Sequence, residues 1–358
     1  MSKKETLLIN ELKPGMISAS SINFNNKVLL ADGMTITESV IDTLKHNYIV
    51  DKVDILIDDN NNDSKDKNGT QKYIKIKTAK ELENEFTEFS PKLKNIFDIL
   101  YVSKKPRIDE VRNFTQRIEQ NFASTGTVIR NILYYGSKGD SIFKHSINVA
   151  AISFILGKWL GLNVNEINLL IYSATLHDIG KTKIDKSIIE NEGKLSDQEY
   201  KIFKLHPVVG YNLINQIPFL DSAVSYGILM HHEMLDGSGY PLGLKGNKIN
   251  KFAKIIAIAD LFDNTVSGRS DGKASSALDA LEAVRKASFG KLEHEYCEMF
   301  LSNLTNYFMG EEVILNNKIK CKIVQFYKGD LTRPLLLGDD GLIDLRKEKK
   351  LYIEKFVV

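Results

Sequence analysis

The sequence lacks the features that mark secreted and membrane-spanning proteins. Only two cysteines occur, Cys297 and Cys321, so at most one disulfide can form, and their spacing matches no metal-ligand motif. No uninterrupted apolar run reaches the ~20 residues of a spanning helix. The charged start, Met1 to Glu5, leads into no apolar signal core. These absences predict a reduced, cytoplasmic protein that does not interact with a membrane.

An excess of one charge is also missing. The 48 basic side chains nearly balance the 46 acidic ones, which leaves a formal net charge of +2. A balance of this kind gives no reason to expect binding to duplex nucleic acid or to an anionic membrane surface. With 358 residues and 43% hydrophobic side chains, the chain is long enough to bury a sizeable core.

The pattern along the chain predicts a mainly α protein in four segments. Residues 1–57 read as a small α+β N-terminal domain, with a turn at Pro14-Gly15, an apolar stretch at 28–30 that runs into a turn at Asp32-Gly33, a helical pattern over 37–47 and a strand at 53–57. Residues 58–77 are a polar linker. Residues 78–308 are dominantly helical, and 309–358 form a small β appendage with strands near 312–315, 321–326, 334–337 and 351–353.

Within the helical segment, the apolar residues between 82 and 100 recur every three or four positions. This stripe suits either the core or a contact in a homodimer. Further helices are expected at about 107–134, 140–160, 164–178, 196–216, 221–231, 250–266 and 276–306.

Three apolar runs of this segment end in groups that are costly to bury. They end at His177-Asp178, at His231-His232 and at Asp260. Bound cations would compensate these groups together, and imidazoles with carboxylates suit zinc, iron or manganese. The alternatives are plain ones: an Asp at a helix end can be only a cap, and lone histidines such as His46 and His294 are surface or satisfied core residues.

A loop from Asp236 to Pro241 follows the histidine pair His231-His232. Its two glycines allow a sharp turn and a close approach to a ligand, and Pro241 stiffens the exit. Tyr240 could stack on a base or donate to a phosphate, or it could be a packed tyrosine in a structural turn. Lys181 either contacts a ligand or is a solvated lysine after a helix. It does not belong to a P-loop, since the preceding glycines are missing.

These motifs resemble a known family. His177-Asp178 with Lys181, and His231-His232-Glu233 followed by the loop through Tyr240, closely resemble the HD-GYP subgroup of the HD phosphohydrolase superfamily. The match runs from about His145 to Arg269. The first 57 residues resemble the small domain often found ahead of HD-GYP modules, in a match built around residues 12–16. The resemblance implies an all-helical HD-type catalytic core, a metal-dependent phosphodiesterase that hydrolyses cyclic di-GMP to linear pGpG or GMP with a two-metal-activated water.

The resemblance also implies roles for individual residues. Its metal ligands fall on His145, His177, Asp178, His206, His231, His232 and Asp260, with Asp178 bridging two divalent transition metals, iron or manganese. Its substrate contacts fall on Lys181 at the scissile phosphate, Tyr240 in the pocket wall, Asp263 near the guanine or ribose, and Arg269 and Lys273 as phosphate-binding cations.

The chain departs from the family pattern in three places. Ser141 stands where members with a third metal carry Glu, so two metals are expected. Met234 replaces a frequent Arg. The residues that follow Arg269 also differ from the family pattern, and the second phosphate-binding cation of that pattern falls one place later, on Lys273. Two rival interpretations stay open: an HD phosphohydrolase acting on another nucleotide, and a cyclic-dinucleotide-binding regulatory or scaffold protein with little turnover. A signalling partner for the flanking segments is also possible.

Overall fold

A computed structural model of the chain describes residues 2–24, 27–38, 40–41, 44, 52–58, 79–102, 115, 142–189, 191, 195–217, 220–267 and 276–357. The chain divides into two compact units. One takes in the chain up to Leu82 and from Ser302 onward, and the other takes in the middle as far as Leu301. The predicted domain boundaries at 57, 77 and 308 stay predictions. Among the described residues no helix is both long and apolar enough to cross a membrane.

The middle unit is helical, as the sequence predicted. Its helices are α1 (Ala79–Val102, which begins in the other unit), α2 (Ile142–Trp159), α3 (Val164–Leu176), α4 (Lys186–Ile189), α5 (Asp197–Phe203), α6 (His206–Ile214), α7 (Ser222–Met230), α8 (Lys251–Ser267), α9 (Ala277–Ala287) and α10 (His294–Phe308, which ends in the other unit). Short 3-10 helices occur at Ile179–Lys183 and Gly246–Lys248.

Local sequence fixes where several of these helices begin. Asn163, Ser196 and Ser276 each accept a hydrogen bond from the backbone N–H three residues on, and each is paired with an acidic residue in a capping box. Two predicted helices are in fact broken. The stretch 196–216 divides just before His206, and 276–306 divides around Gly290, whose φ of +97° lies in the left-handed region.

The core of this unit lies between α2, α3, α7 and α8. Helix α2 is buried almost all round, from Lys144 to Gly157, which suits a central helix. It packs against α3 and α8, while α7 packs against α3, α6 and α8. Helix α1 adds Phe89, Leu93 and Leu100 as buried residues, so the described part of the stripe contributes to the core. The predicted helix at 107–134 lies outside the described residues, apart from Thr115.

The other unit contains small antiparallel sheets. In its N-terminal part β1 (Ser2–Leu8) pairs with β4 (Lys52–Asp58), and β2 (Ile22–Phe24) pairs with β3 (Lys27–Leu30). Its C-terminal part is a sheet of β5 (Glu312–Leu315), β6 (Lys320–Tyr327), β7 (Asp330–Gly338), β8 (Gly341–Asp344) and β9 (Ile353–Phe356), in the order β8-β7-β6-β5-β9. The mainly α class with small β-containing ends is confirmed.

Strands β1, β2 and β8 were absent from the prediction. Strand β1 is charged and shows little alternation, and it is held by its ladder with β4. Strand β8 is short and forms a hairpin with β7. The predicted last strand also begins later than expected, at Ile353. In each case the partner strand, rather than the local pattern, decides the structure. The predicted helix at 37–47 lies largely outside the described residues.

Candidate metal centre

Helix ends bring the predicted histidines together in the middle unit. His177 directly follows α3, His206 begins α6, and His231 with His232 directly follows α7. His145 lies in the first turn of α2, and Asp260 lies within α8. Because the apolar faces of these helices pack against one another, their polar ends meet inside the unit. His145, His177, Asp178, His206 and His231 are all almost completely inaccessible to solvent.

Three of the imidazoles are oriented by the same backbone contact. In each, Nδ1 lies 2.6–2.8 Å from the carbonyl oxygen three residues earlier: His177 to Ala174, His206 to Phe203 and His231 to Ile228. Because a carbonyl oxygen only accepts, Nδ1 must carry the proton in each ring. The Nε2 atoms are therefore left with lone pairs, the form in which imidazole binds a metal.

A carboxylate orients the fourth imidazole. Nδ1 of His145 donates to Oδ2 of Asp263 at 2.7 Å, and the other oxygen of Asp263 accepts from Nδ2 of Asn148 at 2.7 Å. Nε2 of His145 then lies 3.3 Å from Nε2 of His177. Likewise, Nε2 of His206 lies 3.4 Å from Nε2 of His231. Each pair brings together two Nε2 atoms, the atoms that a neutral imidazole with a protonated Nδ1 leaves available to a metal.

Asp178 lies between these two histidine pairs, with one oxygen toward each. Its Oδ2 is 3.5 Å from Nε2 of His145 and 3.4 Å from Nε2 of His177. Its Oδ1 is 3.3 Å from Nε2 of His206 and 3.8 Å from Nε2 of His231. The donor atoms thus form two groups that share Asp178: one with His145 and His177, the other with His206, His231 and His232.

These residues fit two divalent cations. Oδ1 of Asp178 and Nε2 of His232 are buried without a hydrogen-bond partner, and an unpaired buried polar atom is unfavourable. Asp260 adds a further oxygen, with Oδ1 3.0 Å from Nε2 of His145 and Oδ2 3.9 Å from Nδ1 of His232. Cations would satisfy all of these lone pairs. The structure brings the seven predicted ligands together; that they bind metal stays a prediction.

The ionisation of the cluster suits metal binding. Burial depresses the pKa of His231 to about 4 and holds the pKa values of His206 and His232 well below the usual range. Burial opposes ionisation of Asp178, yet His177 and Lys181 hold its pKa well below the usual range. Neutral imidazoles and ionised carboxylates are the forms that coordinate metals.

Lys181 is the cation closest to this cluster among the described residues. Its Nζ donates to Oδ2 of Asp178 at 2.6 Å and lies 5.3 Å from the ring centroid of Phe203. The lysine side chain is 15% exposed. It therefore joins the buried centre to the accessible surface, and its expected contact with a phosphate stays a prediction.

The loop through Tyr240 forms a wall of the centre. The ring of Tyr240 stacks on His232, with centroids 4.6 Å apart and an interplanar angle of 28°. Gly239 permits the close turn, because a Cβ there would lie 2.4 Å from the backbone nitrogen of Met234. The aromatic face of Tyr240 is thereby fixed beside the cluster.

Glu233 holds this loop in place. In the sequence it follows His231-His232, and no role was predicted for it. Its side chain is buried, and its two carboxylate oxygens accept from the backbone N–H groups of Leu242 (2.7 Å) and Leu244 (2.9 Å). The signal in the sequence was an acidic residue directly after two buried histidines, but its partners lie nine and eleven residues away.

The structure changes the interpretation of Asp263. It was expected near a guanine or ribose, but it is 1% exposed and hydrogen-bonded to His145 and Asn148. Its position on α8, one turn after Asp260, directs it into the core. Asp263 orients His145 in this structure, and its expected contact with a guanine or ribose stays a prediction. Asn148 and Asn264, which donates to Asp260 at 2.8 Å, were missed because amides in apolar helices carry no distinctive pattern. Arg269, Lys273 and Ser141 lie outside the described residues.

Comparisons with known proteins agree with this geometry. Residues 128–291 match the model of the HD domain family. The chain is 34% identical over 182 residues to the cyclic di-GMP phosphodiesterase response regulator RpfG of Xanthomonas campestris pv. campestris, covering 50% of this chain and 47% of that protein. It is 35% identical over 174 residues to the 3'3'-cGAMP-specific phosphodiesterase 1 of Vibrio cholerae, covering 48% and 40%.

A solved structure supports the fold. The HDG"Y"P protein of Bdellovibrio bacteriovorus matches with a TM-score of 0.54 and 14% identity, covering 85% of this chain and all of that one. At this identity the likeness concerns the fold alone. The chain spans less than half the length of the two curated relatives above. The resemblance to HD-GYP proteins is confirmed by the combination of domain, relatives and fold.

Proposed function

We propose that this chain, which carries an HD domain of the HD-GYP type, is a metal-dependent phosphodiesterase that hydrolyses a cyclic dinucleotide, with cyclic di-GMP as the first candidate substrate. One observation carries the proposal: Asp178 presents its two oxygens to two buried groups of unprotonated imidazole nitrogens. Such a shared carboxylate is suited to bridging two cations. The proposed ligands are His145, His177, Asp178, His206, His231, His232 and Asp260.

The bound metals would supply a hydroxide at neutral pH and neutralise charge on the phosphate. Iron and manganese suit the imidazole and carboxylate donors. The remaining steps depend on the chain's own residues. The Nδ1 contacts with backbone carbonyls and with Asp263 keep the imidazoles in one tautomer and one orientation. Burial of these side chains excludes bulk water from the reacting phosphate.

Lys181 has a second role in this proposal. Its ammonium group neutralises part of the negative charge of Asp178, which lowers the repulsion that an approaching phosphodiester meets. A phosphate oxygen at the accessible side of Lys181 would receive a charge-assisted hydrogen bond. Tyr240 provides the ring face against which part of the substrate packs.

Hydrolysis assays with metal analysis test the proposal. Protein purified without oxygen, and reconstituted with iron or manganese, should contain about two metals per chain and should convert cyclic di-GMP to pGpG or GMP. The 3'3'-cGAMP named for one relative is the second candidate, and a linear dinucleotide should be compared with both. His177→Ala/Asp178→Ala should lose metal and turnover together. Stoichiometric metal with tight cyclic dinucleotide binding but no product after long incubation would instead support a binding protein.

A further inference from the structure

A second lysine, Lys204, lies at the rim of the metal centre. It follows α5 and stands two residues before His206. Its Nζ lies 4.4 Å from the ring centroid of Tyr200 and 5.4 Å from that of Tyr240. Among the described residues, the contacts of this ammonium group are with these two rings and include no ion pair. The ammonium group of Lys204 is therefore stabilised by cation–π contacts with two tyrosine rings rather than by an acidic side chain.

The surroundings of Lys204 are open and mostly apolar. Tyr200 is 46% exposed, and Leu205, the residue after Lys204, is 52% exposed. Lys181 contrasts with it, since that side chain is mostly buried and donates to Asp178. Lys181 thus places one ammonium group in contact with the metal centre, and Lys204 places another at its rim. An unpaired cation among exposed aromatic and aliphatic side chains is suited to an anionic group attached to flat rings.

We propose that Lys204 binds the second, non-reacting phosphodiester of the cyclic dinucleotide. The inference rests on the function proposed above. Such a substrate carries two phosphodiesters in one ring, and these are its only anionic groups. When one phosphodiester lies at the centre beside Lys181, the other lies a short distance away, toward the rim. Tyr240, which stacks on His232 and also faces Lys204, connects the two positions.

Steady-state kinetics of Lys204→Gln and Lys204→Arg in the metal-reconstituted full chain test this assignment. The Gln variant should raise KM for the cyclic dinucleotide about tenfold with a much smaller change in kcat, because a hydrogen bond to a charged group contributes on this scale. The Arg variant should recover most of the loss. The loss should be at least several times greater for the cyclic dinucleotide than for bis(p-nitrophenyl) phosphate, which has no second phosphodiester. Lys201→Gln is the matched control, because Lys201 is exposed and lies on α5, three residues before Lys204.

The outcomes of these assays distinguish a failure of the Lys204 assignment from a failure of the proposed function. An unchanged KM in Lys204→Gln, or equal losses with both substrates, would overturn the assignment of Lys204 while leaving the proposed function in place. An equal loss in Lys201→Gln would also overturn it, since general surface charge would then explain the effect. Wild-type protein that contains metal but hydrolyses no cyclic dinucleotide would overturn the proposed function and this inference with it.

Discussion

Replacing Asp263 by Asn should weaken metal binding although Asp263 is not a proposed ligand. Both oxygens of Asp263 accept hydrogen bonds at 2.7 Å, one from Nδ1 of His145 and one from Nδ2 of Asn148. An amide has one acceptor oxygen, so its NH₂ group must face one of these two donors. If it faces His145, the imidazole must move its proton from Nδ1 to Nε2. That tautomer removes the lone pair directed at Asp178 and His177.

The size of the effect follows from this change. Loss of an outer partner of a metal-bound histidine lowers metal affinity by roughly 10–100-fold, which corresponds to about 1.4–2.7 kcal/mol. Only the group of donor atoms that contains His145 and His177 should weaken. The second group, with His206, His231 and His232, should keep its affinity, so the metal content of the variant should fall toward one per chain.

Metal content at a series of buffered free manganese concentrations checks this prediction. Asp279→Asn is the control, because that carboxylate caps α9 and hydrogen-bonds only to Ser276. Asn148→Ala, which leaves the bond between Asp263 and His145, should cause a smaller fall. Circular dichroism should show that each variant is folded. A folded Asp263→Asn protein with wild-type affinity at both sites would refute the tautomer argument.

Three further predictions concern the loop, the backbone and the metal-free state. Glu233→Ala should raise KM several-fold, because the backbone N–H groups of Leu242 and Leu244 lose their buried acceptor. An unchanged KM together with an unchanged urea midpoint would show that Glu233 does not hold the loop in place. Gly180→Ala should lower the free energy of unfolding by about 1–3 kcal/mol and should also lower the metal content. The reason is that the alanine Cβ would lie 2.0 Å from the carbonyl oxygen of His206, a proposed ligand, and would displace it. A variant with wild-type metal content would contradict this prediction. In metal-free protein the folded-state pKa of His231, about 4, lies below the ordinary 6.5, so the unfolded chain binds more protons between these values. The free energy of unfolding should therefore be highest above about pH 6.5 and fall as the pH decreases toward 4. Urea titrations in chelator that show no such fall would refute it.

The sequence was informative wherever the pattern was local. Apolar runs that end in His177-Asp178, His231-His232 and Asp260 predicted both the helices and the residues at their ends. It was less informative about breaks within helices: the stretch 196–216 was predicted as one helix although Pro207, in the first turn of α6, is a signal for a helix start. Strand β1 was missed for a related reason, since its stability depends on β4, about fifty residues later.

Side-chain partners distant in the sequence were beyond prediction. Asp263 and His145 are 118 residues apart, and only the packing of α8 against α2 brings their side chains into contact. The same packing buries Asp263, and its expected contact with a substrate stays a prediction. Lys204 carried no motif, and only the tertiary structure brings its ammonium group near the ring of Tyr240 as well as that of Tyr200.

The sequence by itself determined which groups carry the chemistry, because histidine and aspartate at the ends of apolar helices must be compensated wherever those helices pack. Tertiary structure decided which nitrogen of each imidazole faces inward, which oxygen of Asp178 faces which histidine pair, and that Asp263 is hydrogen-bonded to His145. These properties depend on distances of a few ångströms between separate helices. No local pattern encodes such distances, since they arise only when the apolar faces of the helices are buried together.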